Sequence, residues 1–113
     1  MPTRAILVAC ILAASGPAFA DCKEPAIGTR NMPSLSPPLG EVVIGSGRLQ
    51  FYSAPNLNCI MPGVFVIPKD ELIAYAQSDD GWSSVMYSNP KSRDTVSGWV
   101  KSSRLKATGT MGH

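Results

Sequence analysis

The 113-residue sequence predicts an all-β fold, either a small sandwich or a barrel. Short runs rich in β-branched and aromatic residues recur about every ten residues, with turn-forming residues between them. Two of these runs begin with a tryptophan that directly follows a glycine, at Trp82 and Trp99. No run shows the 3.6-residue apolar period of an amphipathic helix. These features place the predicted barrel at residues 47–106.

Residues 1–20 predict a secretory signal peptide. Arg4 gives a charged start, a ten-residue apolar run follows, and small residues precede a cleavage site after Ala20. The run is too short to cross a membrane, so we expect a periplasmic or secreted protein without stable membrane insertion. A buried N-terminal helix and a lipid anchor are the alternatives. The apolar stretch before Cys10 is short for an anchor signal, and an acidic residue precedes Cys22.

The chain expected after cleavage, residues 21–113, is the size of one small domain. Without Arg4 it carries nine Lys and Arg residues against eight Asp and Glu residues, and its formal net charge is about +1. No block of like charges occurs, so the electrostatic footprint of nucleic-acid binding is missing. Cys22 and Cys59 remain, and an even pair in a small exported domain predicts a disulfide. Two free or metal-binding thiols are the alternative, but no histidine lies nearby to complete a metal site.

Residues 21–46 are predicted to form an extended arm. Its prolines fix φ and exclude a helix; they are Pro25, Pro33, Pro37 and Pro38. Residues 35–39 should adopt a polyproline-like conformation, and residues 41–44 could form one strand. The proline spacing also allows residues 35–39 to dock in an aromatic groove of the same chain, with a plain linker as the alternative.

The predicted barrel contains five strands. They lie at residues 48–53, 64–67, 72–76, 82–87 and 95–100. In the first strand, Leu49 and Phe51 alternate with polar residues and should share one face. A helical turn capped by serine is predicted at residues 102–105, and a flexible tail at residues 107–113.

Four short motifs follow one another along the predicted barrel. Residues 49–55 read apolar-x-apolar-Tyr-Ser-x-Pro, and a glycine-led strand pair follows at residues 63–76. Gly-Trp-x-x-Val then occupies residues 81–85, and Gly-Trp-Val at residues 98–100 precedes a short turn and a leucine. In this order the motifs resemble a bacterial SH3-like domain. The resemblance covers about 57 residues of the expected mature chain.

The resemblance implies a small five-stranded, partly open SH3-like barrel without catalytic activity. Such domains bind peptides, peptidoglycan or partner proteins, so the expected partner is a protein, a peptide or a cell-wall glycan. Small exported proteins of this kind are also similar to immunity proteins, and inhibition of a secreted effector enzyme is the alternative function. Two features depart from the family. Lys69 and Asp70 stand where it usually has a glycine, and the loop from Tyr87 to Thr95 is longer than usual.

Four aromatic residues are the candidate ligand-binding side chains. They are Tyr52, Trp82, Tyr87 and Trp99. Each ring combines a flat apolar face with a polar edge, which suits stacking on proline or sugar rings. The resemblance places Trp82 on the groove side of the barrel, with Tyr52 beside it. The alternative is that both tryptophans belong to the core.

Catalysis finds little support in the sequence. The single histidine, His113, is the terminal residue and cannot join an ordered catalytic pair. The acidic pairs Asp70-Glu71 and Asp79-Asp80 lie in predicted polar loops and lack the spacing of a calcium loop. We therefore expect no enzyme activity, no metal and no cofactor. Five basic residues could form a rim for an acidic partner, with scattered solubilising charge as the alternative. They are Arg48, Lys91, Arg93, Lys101 and Arg104.

Overall fold

A computed structural model describes residues 22–110 of the chain. The predicted signal peptide, its cleavage site after Ala20 and the last three residues lie outside this range. The described part forms seven β-strands and a short 3-10 helix. The strands are β1 (Ser34–Val43), β2 (Leu49–Tyr52), β3 (Ile60–Val66), β4 (Glu71–Gln77), β5 (Trp82–Ser88), β6 (Thr95–Lys101) and β7 (Leu105–Thr110), and the 3-10 helix is Ser102–Arg104.

All seven strands join one antiparallel sheet in the order β3-β2-β6-β5-β4-β1-β7. The all-β prediction is therefore confirmed, but the described residues contain seven strands where five were expected. The two additional strands, β1 and β7, come from residues assigned to the arm and to the flexible tail. No helix within residues 22–110 is long and apolar enough to cross a membrane.

The strand β1 includes the strand expected at residues 41–44 as far as Val43, but it begins at Ser34 and so replaces part of the predicted extended arm. From Leu39 onward it pairs with β4, and its other edge pairs with β7. Pro37 and Pro38 lie between Ser34 and Leu39, where the register with β4 shifts. Proline lacks a backbone N–H and is tolerated where the ladder is interrupted. Residues 35–39 thus belong to a strand instead of a docked polyproline segment, and Leu35 and Leu39 pack on the main core.

The main core draws its side chains from strands β1 to β6. Its buried members are Val43, Leu49, Phe51, Val66, Leu72, Ala74, Val85 and Val100. Strands in a sheet lie about 4.8 Å apart, so the outermost of six flat strands would be about 24 Å apart. One shared core therefore requires the sheet to curl so that β2 and β3 approach β1 and β4. Leu49 and Phe51 share the inner face, as the alternating pattern predicts.

Gly98 allows β2 to pass close to β6. A Cβ atom at this position would lie 2.9 Å from Cδ2 of Phe51 and 2.9 Å from the carbonyl oxygen of Tyr52. The ladder between these strands includes the pair Tyr52–Trp99. Glycine at position 98 therefore fixes how closely the hairpin of β2 and β3 folds onto the rest of the sheet.

The edge strand β3 is interrupted by a bulge opposite β2. Gln50 pairs with Phe65, whereas the next pair is already Tyr52 with Ile60. Nε2 of Gln50 lies 2.8 Å from the carbonyl oxygen of Met61 and 3.0 Å from that of Val64. The side-chain amide thus occupies the gap that the bulge leaves in the ladder. Such a bulge also discourages pairing with another sheet edge.

The predicted helical turn is present, but its predicted serine cap is wrong. The 3-10 helix follows Lys101, which is the N-cap residue and makes no side-chain capping bond. The hydroxyl of Ser102 instead lies 2.6 Å from the hydroxyl of the buried Ser83. This contact satisfies a buried polar group next to the end of β6.

Candidate functional site

The two tryptophans and Tyr52 form a second, smaller cluster on the sheet. Trp82 is 4% exposed and Trp99 is 0% exposed, and both pack with Met32 and Ala76. Tyr52 is partly buried and meets Trp82 edge to face, with ring centroids 5.0 Å apart. Both indole rings are thus buried, contrary to the expected open aromatic surface. Neither tryptophan therefore offers an open ring face to a ligand.

Residues 22–32, which we call the N-terminal segment, contribute to this burial. The indole Nε1 of Trp99 donates a hydrogen bond of 3.0 Å to Oε1 of Glu24. Met32, at the end of the segment, belongs to the buried cluster. Lys101 places its ammonium 4.6 Å from the ring centroid of Trp82. A small domain needs large rings in its interior, and here the N-terminal segment and a lysine enclose them.

The predicted disulfide anchors the N-terminal segment. Cys22 and Cys59 are bonded, with Cα atoms 5.7 Å apart, which confirms the sequence prediction. Cys59 is buried between β2 and β3, and its carbonyl oxygen accepts a hydrogen bond of 2.8 Å from the backbone of Ser53. The segment is therefore attached to a structured part of the sheet.

Tyr87 is the candidate aromatic residue that lines open cavities. It lies on β5, opposite Leu72 of β4, and is partly buried against the main core. One cavity beside it, of about 370 Å³, is lined by Lys69, Asp70 and Pro90 among others. A second, of about 240 Å³, lies between β3 and the loop after β5, with Phe65 and Asp94 in its walls. Tyr87 therefore separates two adjoining cavities.

A third cavity, also about 240 Å³, continues along the same strands. Its walls include Glu71 and Ser88, which also line the 370 Å³ cavity beside Tyr87. The remaining walls come from β1, β4, β5 and β7; they are Gly40, Glu41, Leu72, Ile73, Met86 and Thr108. The 370 Å³ cavity thus shares lining residues with each of the other two, and we call the three cavities together the Tyr87 groove. Neighbouring cavities of this kind suit an extended ligand better than a compact one.

Glu41 is a buried carboxylate in the wall of this groove. The residue is 4% exposed, and its Oε2 accepts a hydrogen bond of 3.2 Å from Nε2 of Gln77. Burial raises the pKa of the Glu41 carboxyl above its ordinary value, and the bond from Gln77 opposes this rise. Burial also raises the pKa of the Tyr87 hydroxyl, and the negative charge of Asp70 adds to that effect.

The loop between β5 and β6 forms one rim of the groove and is internally hydrogen-bonded. Oδ1 of Asn89 accepts bonds from the backbone N–H groups of Lys91 (2.8 Å) and Ser92 (3.1 Å). The backbone of Asn89 also donates to Asp94 at 2.8 Å, and Arg93 adopts a φ of 66°. These bonds shape the loop that the sequence marked as unusually long.

The opposite rim is the turn before β4. Lys69 has a φ of 81°, in the left-handed region that favours glycine. This is the position at which the SH3-like resemblance expects a glycine. Asp70 holds the turn, since its Oδ2 accepts a bond of 2.9 Å from the backbone of Ile67. The turn therefore adopts a left-handed backbone with a lysine instead of a glycine.

Three members of the predicted basic rim have separate structural contacts. Arg48 lies over the ring of Phe65 at 4.2 Å, and Lys101 lies over Trp82. Arg104 donates bonds of 2.7 Å to the carbonyl oxygens of Ile44 and Gly47, which fixes the turn between β1 and β2. Each of these three side chains therefore already has a contact within the chain. None of these contacts requires an acidic partner.

Within residues 22–110, no group of three or more His, Cys, Asp and Glu residues could hold a metal ion. The acidic pair Asp79 and Asp80 is exposed, and Asp80 accepts a hydrogen bond from Ser78. Comparison of the chain with family models, curated proteins and solved structures found no match.

The sequence alone does not identify Glu41 as a candidate site residue. It identifies Tyr87 from its side-chain chemistry and not from its position in the groove. Glu41 is a lone acid between Leu39 and the valines of β1, and that apolar context was the available signal of burial. The sequence indicates Tyr87 because its ring combines a flat apolar face with a polar edge. Its position in the groove depends on long-range pairing that no local pattern contains.

Proposed function

We propose that this chain is a non-catalytic binding module, exported to the periplasm or secreted, that holds an extended peptide segment of a partner protein in the Tyr87 groove. A five-stranded SH3-like barrel formed by β2 to β6, with β1 and β7 as additional strands, is part of this proposal. The helical turn before the last strand and the glycine-like turn at Lys69 support it. The Cys22–Cys59 disulfide is compatible with an oxidising compartment.

The observation that carries the proposal is the position of Tyr87. Its ring is packed against the core on one side and lines two adjoining cavities. A tyrosine in this setting offers a rigid apolar surface and a hydroxyl at little cost in conformational entropy. The groove that passes it is lined by backbone and side chains from several strands, so its shape is largely formed before a ligand arrives.

A peptide-display selection on the purified chain, residues 21–113, tests this proposal. Peptides that are enriched should bind in solution, and Tyr87→Ala should weaken that binding at least about tenfold, the size expected for an aromatic anchor. Tyr75→Ala is the matched control, because Tyr75 is an exposed (38%) tyrosine on β4 that does not line the groove. It should leave the affinity unchanged.

A second variant tests the groove without depending on whether Tyr87→Ala remains folded. Ser88 is exposed and lines the groove, so Ser88→Trp should block it without altering the core. Equal affinity of the wild type, Tyr87→Ala and Ser88→Trp would refute the groove as the binding site. Retention of the chain on purified peptidoglycan, without any enriched peptide, would instead favour the cell-wall ligand.

A further inference from the structure

We infer that the Tyr87 groove selects a cationic peptide, and that the side chain of a lysine or arginine enters the cavity lined by Glu41. This inference rests on the proposed function and adds the chemistry of the ligand to it. It concerns the end of the groove formed by β1, β4, β5 and β7. A cationic ligand differs from the acidic partner that the five basic residues of the sequence suggest as one possibility.

Charge is the first argument for a cationic ligand. The walls of the three adjoining cavities contain four carboxylates, and Lys69 is the single basic residue among these lining residues. The carboxylates belong to Glu41, Asp70, Glu71 and Asp94. Arg48 lies over Phe65 at the far end of the groove. Lys91 and Arg93 belong to the loop between β5 and β6, and Lys106 pairs with Val42; none of these three is among the lining residues. The end around Glu41 is therefore where positive charge on a ligand is best matched.

The composition of the third cavity is the second argument. Leu72, Ile73 and Met86 provide apolar walls, while Glu41 and Glu71 provide carboxylates. Lysine and arginine combine a methylene stem with a charged head, so one side chain can use both kinds of wall. A neutral apolar side chain would leave the carboxylates without an opposite charge, and an acidic one would be repelled.

The burial of Glu41 is the third argument. Within the described residues its side chain has one hydrogen-bond partner, the amide of Gln77. A buried carboxylate is costly unless it is paired, and burial has raised its pKa accordingly. A ligand ammonium or guanidinium would supply the missing opposite charge. Hydrogen bonds to charged groups are the strong ones, so this contact should contribute much of the specificity.

Pools of pentapeptides test the inference directly. Each pool is randomised at four positions and fixed at the centre as Lys, Arg, Gln, Leu or Glu. Amide chemical shifts of the isotope-labelled wild-type chain, residues 21–113, report binding. The Lys and Arg pools should bind at least about tenfold more tightly than the other three, and the largest shifts should include Gly40, Ile73 and Met86.

Two carboxylate variants provide the matched comparison. Glu41→Gln should reduce binding of the Lys and Arg pools about tenfold and leave the Leu pool unaffected. It should also remain folded, because a neutral amide replaces a buried charge. Asp79→Asn removes an exposed acid outside the groove and should change nothing.

The outcomes separate this inference from the proposed function. If the Gln or Leu pool binds as tightly as the Lys pool, and Tyr87→Ala abolishes that binding, the cationic preference is overturned and the binding module stands. If Glu41→Gln leaves the Lys and Arg pools unaffected, the assignment of the cavity is overturned. If no pool binds, both proposals fail.

Discussion

Removal of the disulfide between Cys22 and Cys59 is expected to destabilise the fold by about 4 kcal/mol. The two cysteines are 37 positions apart, so the closed loop contains 38 residues when both ends are counted (59 − 22 + 1). The chain-entropy relation, with about 2.1 + 1.5R ln n cal/mol/K, gives about 3.9 kcal/mol at 25 °C for this loop. That is a large share of the roughly 5–15 kcal/mol that stabilises an ordinary domain.

The effect should also be visible at Trp99. The disulfide anchors the N-terminal segment, which supplies Glu24 as the hydrogen-bond acceptor of the Trp99 indole and Met32 as its packing partner. Once the disulfide is removed, only these contacts hold the N-terminal segment in place. They must then offset the conformational entropy of about ten residues. We therefore expect red-shifted tryptophan fluorescence in the folded variant, at denaturant concentrations where far-UV circular dichroism is unchanged.

The variant for this experiment is Cys22→Ser combined with Cys59→Ala. Alanine is chosen at position 59 because that side chain is 2% exposed, and a buried serine hydroxyl would add a cost of its own. Urea unfolding by circular dichroism measures stability, and the reduced wild type serves as the control for the cavity left at position 59. An unfolding midpoint equal to that of the oxidised wild type would refute the reasoning.

Three further predictions concern single positions. Gly98→Ala should destabilise the fold by about 1–3 kcal/mol, because its Cβ would lie 2.9 Å from Phe51 and from the Tyr52 carbonyl oxygen; an unchanged urea midpoint would contradict this. Lys69→Gly should raise the melting temperature slightly. Relief of about 1–2 kcal/mol of left-handed backbone strain at Lys69 exceeds the entropy cost of glycine. A lower melting temperature would contradict this prediction. Glu41 holds its proton to higher pH in the folded chain than in the unfolded one, because burial raises its pKa. Its contribution to stability is therefore greatest below the ordinary value of 4.5 and falls as pH rises through the folded pKa. We expect the urea midpoint of Glu41→Gln to lack this fall with rising pH. A pH profile identical to that of the wild type would contradict the assignment of the effect to Glu41.

Local patterns were sufficient to predict the strands that alternate or begin after a glycine. Leu49 and Phe51 lie inward on β2 as their spacing indicates, and Trp82 begins β5. The cysteine count predicted the disulfide, because a single pair in a small chain with a predicted signal peptide leaves few other arrangements. The strand predictions depend only on residues that are neighbours in the sequence. The disulfide prediction depends only on the presence of a single cysteine pair.

Long-range pairing accounts for what local patterns could not predict. Pro37 and Pro38 made β1 look like a linker, yet the strand tolerates them because the register with β4 shifts at that point. After Leu105 and Lys106 the residues of β7 are small, and they form a strand because β1 offers an unpaired edge. The groove at Tyr87 combines several strands, so its existence depends on the same pairing.

The burial of both tryptophans also follows from the size of the domain. A domain of the size of residues 22–110 can bury only a limited fraction of its surface, so its largest rings contribute most when they are inside. Here the N-terminal segment helps to enclose Trp99, and its anchor is a covalent bond. An aromatic residue is left for binding only where no segment of the chain covers it. Tyr87 meets that condition because the loop after β5 and the turn at Lys69 stand beside its ring and leave the cavities next to it open.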